Sequence, residues 1–428
     1  MKKRCFAVAM ALLVAPGVAA CGSEEPEVVE RPFDLVIGDS IPLTGQFSDL
    51  GRSGQKAADL AVEQINNAVA DAGVDHTVEI VHKDNGSDPA IAAEAARKMV
   101  KSDQASCILG AWGDPETVET AQSVAIPEEV LQISPASTTN ELIRLDDGGL
   151  VDRTVPPASN QALALATTVA DDLGGAKGKT VNVGALSGST GQAFATTFIE
   201  EWVAAGGDVG AQVLYSADQP SYSTVARQLT EGAPDAYVIA DQPGSFASVA
   251  TALSATGVWA PEVTWGTNTL ISAELAADDP ELVEGMRATV PGTPDGSPAS
   301  IEFETLFESS DPENVAIKRF AAQQFDAAIL CYLAAVAAGS SDGPEMAKAL
   351  IDNTAPGGEE FTWQQLTDSI EALEAGEDID YTGASGPIDM DENGDASAGV
   401  YDIYQYRDGR LKAIAQTPVP TPVAPPLE

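Results

Sequence analysis

Hydrophobic and polar positions along the chain alternate between two rhythms. Short β-branched runs, "LVIGDSIP" (35–42), "TVEIVHKD" (77–84) and "SCILGAW" (106–112), are each followed by a stretch with helical apolar spacing: "GQKAADLAVEQINNAVADA", "PAIAAEAARKMV" and "PETVETAQSVAI". A further run, "VLQISP", closes this series at residues 130–135. Strand followed by helix, repeated, is the signature of parallel α/β structure with crossover helices. Ser87 or Asp88 supplies a cap before Pro89 at the start of the second helix.

After "DRTVPPASNQ" the rhythm begins again, with strands "TVNVGALS", "AQVLYS", "DAYVIAD" and "EVTWGT" among helices "QALALATTVADDL", "GQAFATTFIEEWVAAG", "YSTVARQLTEG" and "SFASVATALSATG". Two such series predict two doubly wound units. Ligands of these sheets bind outside the carboxyl ends of the strands. The informative segments are therefore 44–51, 85–87, 112–114, 136–139, 187–191, 241–244 and 266–269. "AIKRFAAQQFDAAILCYLAAVAAG" (316–339) reads as a long helix pair whose Phe320, Phe325 and Tyr332 belong to a core. The proline-rich C-terminal residues 416–428 are expected to be a disordered tail.

The N-terminus carries different chemistry. Lys2-Lys3-Arg4, an apolar run from Phe6 to Val14, and "VAAC" ending at Cys21 read as a secretory signal over residues 1–20. "VAACG" resembles a bacterial lipobox, which implies cleavage before Cys21, a lipid on that cysteine and anchoring to the cell membrane. Acidic, proline-containing residues 21–32 then form a solvated tether. The 428 residues include 22 Lys and Arg against 65 Asp and Glu, a formal net charge of −43. Such a field disfavours nucleic acid and anionic headgroups as partners, and adaptation to salt is one reading of it. Two cysteines, Cys107 and Cys331, remain in the body of the chain, either as a bridge or as two buried thiols.

Several local patterns point to chemistry and then fail. "GGAKGKT" (174–180) has Leu173 where a phosphate loop needs its first glycine, and it precedes a strand. Gly184, Gly188 and Gly191 lack dinucleotide spacing. His76 and His82 lie on one face of one strand, with no nucleophile elbow for a hydrolytic triad. "DMDENGD" supplies Asp389, Asp391, Asn393 and Gly394 in calcium-loop order, but Val400 stands where the bidentate glutamate belongs. No metal site and no cofactor is expected.

Taken together, "IGDSIPLTGQFSDLGRSGQKAADLAVEQIN", "KDNGSDPAIAAEAARKMV", "LGAW", "ISPASTTNEL" and "GASGPIDMDENGD" resemble the type I periplasmic-binding family, specifically the branched-chain amino-acid-binding receptors of ABC transporters, over roughly residues 33–412. The resemblance implies two Rossmann-like lobes joined by three crossovers: residues 33–155 and 291–388 in lobe I, 156–290 and 389–415 in lobe II. It implies a monomer that closes over a small polar ligand and docks on a membrane permease, with no bond made or broken. Asp391 to Asp395 would then form a polar turn at the last crossover.

In that family, hydroxyls and backbone N–H groups of the first lobe hold a ligand carboxylate, and an acid of the second holds the ammonium. By motif, the expected ligand-binding residues are Trp112, Gly113, Asp114, Ala136, Ser137, Thr138, Thr190, Asp241 and Asn268. Asp114 would repel a carboxylate, or else caps the helix that begins at Pro115. Thr190 replaces an aromatic residue, Thr267 and Asn268 stand where the acid is expected, and Asp241 is a substitute cation partner. Two other functions stay open: a sensing module that reports to a membrane partner, and a secreted hydrolase.

Overall fold

A computed structural model describes residues 32–278, 280–310, 319–354, 357–396 and 399–419. The signal, the lipobox Cys21 and most of the tether lie outside them. The first sheet consists of β1 (Phe33–Ile41), β2 (His76–Asp84), β3 (Cys107–Leu109), β4 (Leu131–Ser134) and β5 (Val151–Arg153), in the order β2-β1-β3-β4-β5. Every pairing in it is parallel. Helices α1 (Ser48–Ala72), α2 (Pro89–Ser102) and α3 (Asp114–Thr120) follow the first three strands. Asp88 is the α2 cap, its carboxylate accepting from the backbone N–H groups of Ala90 and Ile91.

The second sheet contains β6 (Thr180–Leu186), β7 (Asp208–Tyr215), β8 (Ala236–Ala240), β9 (Thr264–Gly266) and β10 (Arg287–Pro291). A three-stranded sheet, β11 (Glu359–Thr362), β12 (Ile379–Gly383) and β13 (Gly386–Pro387), packs with the first lobe, and the chain then returns to the second sheet through β14 (Gly399–Arg407) and β15 (Arg410–Val419). The second sheet runs β15-β14-β10-β9-β8-β6-β7. The chain passes between the two sheets after β5, after β10 and after β13. The fold is thus α/β with two Rossmann-like lobes and three crossovers, as in the type I periplasmic-binding fold.

Strand β15 corrects one expectation. Residues 416–419, placed in the tail, pair antiparallel with 399–402. Pro418 fits there because β15 is an edge strand, where a missing N–H costs no ladder bond. Residues 420–428 lie outside the described residues.

The stretch 316–339 yields one described helix, Ala321–Ala338, whose residues from Ala321 to Val336 are all buried in the first lobe. A disulfide joins Cys331 of this helix to Cys107 of β3. Phe325 and Tyr332 lie in the core, as expected, whereas Phe320 is half-buried between a cluster of the first lobe and one of the second. Asp326, also in this helix, accepts from the N–H groups of Ala384 and Ser385 and from the Tyr381 and Ser385 hydroxyls. Burial raises its carboxyl to about 6 despite these donors.

Both histidines serve packing in and around β1 and β2. His76 stacks on Phe33 at 4.1 Å, with Nδ1 3.0 Å from the Tyr332 hydroxyl and Nε2 3.4 Å from Glu374. His82 bridges two carboxylates, with Nδ1 2.7 Å from the fully buried Asp39 and Nε2 3.0 Å from Asp59.

Candidate functional site

In both lobes the carboxyl ends of the parallel strands carry the loops that resemblance assigned to ligand binding. On lobe I, the loop after β3 begins with a cis Gly110–Ala111 peptide and leads through Trp112 and Gly113 into α3. Trp112 is buried against Ile41 and Leu50 and meets Phe320 edge-on at 6.2 Å, while its indole N–H has no hydrogen-bond partner among the described residues. Gly54 of α1 makes room for this ring: a Cβ there would lie 2.2 Å from Trp112 Cζ2.

Asp114 does not cap α3. Gly113 is the N-cap, with no side-chain cap bond, and Asp114 opens the first turn. Its Oδ1 instead accepts from the Ser137 hydroxyl at 2.9 Å and from the backbone N–H groups of Thr138 at 3.0 Å and Thr139 at 3.2 Å. A helix N-terminus favours an acid here, but the loop after β4 claims the carboxylate first. Burial pushes the Asp114 carboxyl up, against the pull of Ser137, the two amides and Arg153.

Arg153 holds the other side of the same loop. It is fully buried, donates to the carbonyls of Ser137 and Thr139, and places Nε 2.6 Å from Oδ1 of Asp395. Asp395 ends the "DMDENGD" turn, in which Asp391 Oδ1 accepts from the N–H groups of Asn393 and Asp395. This is the expected polar turn, with its leading carboxylate serving the turn's own backbone. Beside it, Asp152 is fully buried with both carboxylate oxygens unpartnered among the described residues, and burial, with Asp147, Asp395 and Asp391 adding to it, pushes its carboxyl well up.

On lobe II, Asp241 follows β8. It accepts from the Tyr215 hydroxyl at 2.7 Å, from the Gln242 N–H at 2.7 Å and from the Ser245 hydroxyl. The carboxylate is thereby engaged inside its own lobe. Thr269 donates to the Asp241 carbonyl and pairs with Thr267, next to the half-buried Asn268. Thr190 is exposed in the first turn of the helix Ser189–Ala204. A groove of about 490 Å³ opens at the ends of β7 and β8, lined by Ala217, Asp218, Gln219, Tyr222, Gln242, Gly244, Ser245 and Ser248. A second cavity of about 340 Å³ lies among the three crossovers, with Thr154, Gly292, Gln323, Ser385 and Val400 in its wall.

The structure therefore brings Trp112, Gly113, Asp114, Ala136, Ser137 and Thr138 together on lobe I, and Asp241 near Asn268 on lobe II. Four residues of this region were not assigned to the site from sequence, Phe320 having been expected in a core. Arg153 sits at the first crossover. Phe320 and Arg319 link the lobes, Arg319 through an Nη1 bond to the Ile271 carbonyl at 3.2 Å. Glu116, in the first turn of α3, is 3% exposed; its carboxylate takes its own backbone N–H, and Oε2 has no partner among the described residues. A second acid two residues after Asp114 was the available signal for Glu116, but such pairs usually mark a solvated helix start.

Comparison with known proteins bears on the family and the fold. The family model described as "Periplasmic binding protein" matches residues 35–410. A Halobacterium salinarum protein, "Chemotactic signal transduction system substrate-binding protein BasB", is 26% identical over 362 residues, 83% of either chain. The solved structure of a leucine-binding protein LivK from Thermotoga maritima superimposes with a TM-score of 0.67 at 22% identity, covering 89% of this chain and 98% of that one. An R. palustris solute-binding protein of an ABC transporter in complex with 4-hydroxybenzoate gives a TM-score of 0.66 at 18% identity, covering 92% and 99%.

Proposed function

Because this chain belongs to the periplasmic binding protein family, we propose that it is an extracytoplasmic solute-binding receptor of an ABC importer, taking an amino acid or a similar small polar metabolite between its two lobes. The observation that carries this reading is the extent of the family match, which runs from β1 to the end of β14 and takes in all three crossovers. Ligand contacts with both lobes would favour a closed arrangement over an open one, with no chemical step. The lipobox-like "VAACG" supports anchoring through a lipid on Cys21, which would hold the captured solute near its permease.

The similarity to BasB supports a second reading, in which the same binding event is reported to a membrane signalling partner. The two readings share the ligand site and differ in the protein that the closed form meets. A thermal-shift screen across amino acids, amides, polyamines and small organic acids tests the shared part, because a ligand specific for the folded state raises the unfolding midpoint. At least one compound should raise it in a dose-dependent way. A flat response across all four classes would contradict solute binding.

A further inference from the structure

We infer that the polar groove at the ends of β7 and β8 is a subsite that receives an uncharged, hydroxyl- or amide-bearing part of the solute, and that Asp241 shapes its wall instead of holding a ligand cation. This inference deepens the solute-receptor reading and rests on it.

The groove, about 490 Å³, is of a size that takes a small organic molecule. One wall is the loop that leads from β7 into the helix Ser223–Leu229, and the other is the start of the helix Pro243–Ser254. All of its lining residues follow strands of the second sheet, so the groove is whole before the lobes close. Contacts made there strengthen binding to open and closed forms alike, and closure is left to contacts that span both lobes.

Three kinds of ligand group fit these walls poorly. Ala217 is the one aliphatic side chain among the lining residues, and Tyr222 is buried with its hydroxyl donating to the Ala217 carbonyl, which leaves little apolar surface for a leucine-like side chain. Among the described residues no lysine, arginine or histidine lines the groove, and Asp241 sets the chain's own negative charge at the start of the helix Pro243–Ser254, against an incoming carboxylate. Asp218 is exposed, and a solvated carboxylate attracts a cation only weakly.

What remains is hydrogen-bonding capacity without charge. Gln219, Gln242, Ser245 and Ser248 supply amides and hydroxyls to the lining. Gln219 Nε2 is enclosed and has no partner among the described residues, so a carbonyl or hydroxyl oxygen of the solute would complete it. Asp241 is 3% exposed, with one carboxylate oxygen on the Tyr215 hydroxyl and the other on the Gln242 N–H and the Ser245 hydroxyl. It is a positioning residue, since two of its three donors belong to residues of the groove wall.

The test is calorimetric titration of the folded chain with three sets of probes: hydroxyl- or amide-rich (glucose, trehalose, glutamine, glycylglutamine), apolar (leucine, isoleucine) and charged (arginine, glutamate). The tightest probe should come from the first set, and Gln219→Ala and Gly244→Leu should each weaken it tenfold or more with circular dichroism unchanged. A Cβ at Gly244 meets open space, so the leucine fills the groove without moving the backbone. The two variants lie on opposite walls, and if one misfolds the other decides. Asp241→Ala should weaken the same probe tenfold, and Asp241→Asn, which keeps an acceptor without the charge, should recover most of that loss. A tightest probe from the other sets, wild-type affinity in a folded groove variant, or an equal loss in both Asp241 variants overturns the inference while leaving the receptor reading intact. Silence from the whole first set also overturns it, and silence there together with a flat thermal screen overturns both.

Discussion

Arg153 Nε, at the end of β5, lies 2.6 Å from Asp395 Oδ1, in the turn by which the chain returns to the second sheet. This pair ties the first crossover to the third, and the arginine also grips the loop that carries Ser137 and Thr139. Removing one partner of a buried pair leaves the other charge uncompensated. Asp395→Ala should therefore cost about 3–5 kcal/mol of stability. Urea unfolding followed by circular dichroism checks it, and a loss below about 1 kcal/mol would mean that the pair is not the anchor described here.

The disulfide between Cys107 and Cys331 closes a long loop, its ends 224 positions apart in sequence, and staples β3 to the central helix of lobe I. Reduction of the purified protein should lower its unfolding free energy by about 2–5 kcal/mol. Denaturant curves with and without reductant measure the difference. Superimposable curves, with free thiols verified, would contradict the stapling role.

His82 gives the protein a pH-dependent contribution above neutrality. Burial alone pulls its imidazolium down, yet Asp39 and Asp59 outweigh that and push it up to about 9. The folded value lies above the ordinary 6.5, so the folded state binds the proton more tightly. The stabilisation is complete below about pH 6.5 and disappears as pH rises through about 9. Thermal midpoints from pH 6 to 10 should fall more steeply for wild type than for His82→Gln, and parallel profiles would refute the assignment.

Gly54 shapes the site from beneath. A Cβ at this position would meet the Trp112 ring at 2.2 Å and Ile41 Cδ1 at 2.9 Å. Gly54→Ala should cost about 1–3 kcal/mol through overpacking and should weaken ligand binding by displacing the indole that supports Gly113 and Asp114. Denaturation and titration with the best probe from the thermal screen measure the two effects, and an unchanged affinity would show that Trp112 does not shape the cleft.

Much of this arrangement was legible in the residue pattern. Alternating β-branched and alanine-rich runs gave the parallel strands and their helices, because a strand buried on both faces and an amphipathic helix leave different periods. Strand β5 escaped because "VDR" is three residues long, and β11 to β13 escaped because they are only four, five and two residues long. The tail misled because proline excludes a central strand but not an edge. Cysteine pairing and the Arg153–Asp395 bond join residues more than 200 positions apart, and spacing along a chain carries no distance in space. For Asp114 the residue was legible and its role was not. Whether a carboxylate caps its own helix or serves a neighbouring loop depends on the packing of β3 against β4.

Binding between two lobes requires ligand contacts from both, so the most direct measurement is calorimetric titration of the best thermal-shift probe into wild type, Thr138→Ala on lobe I and Asn268→Ala on lobe II. Each variant should keep its circular dichroism spectrum and lose about tenfold or more in affinity, equivalent to about 1.4 kcal/mol. Wild-type affinity in either folded variant would contradict a ligand held between the lobes at these positions.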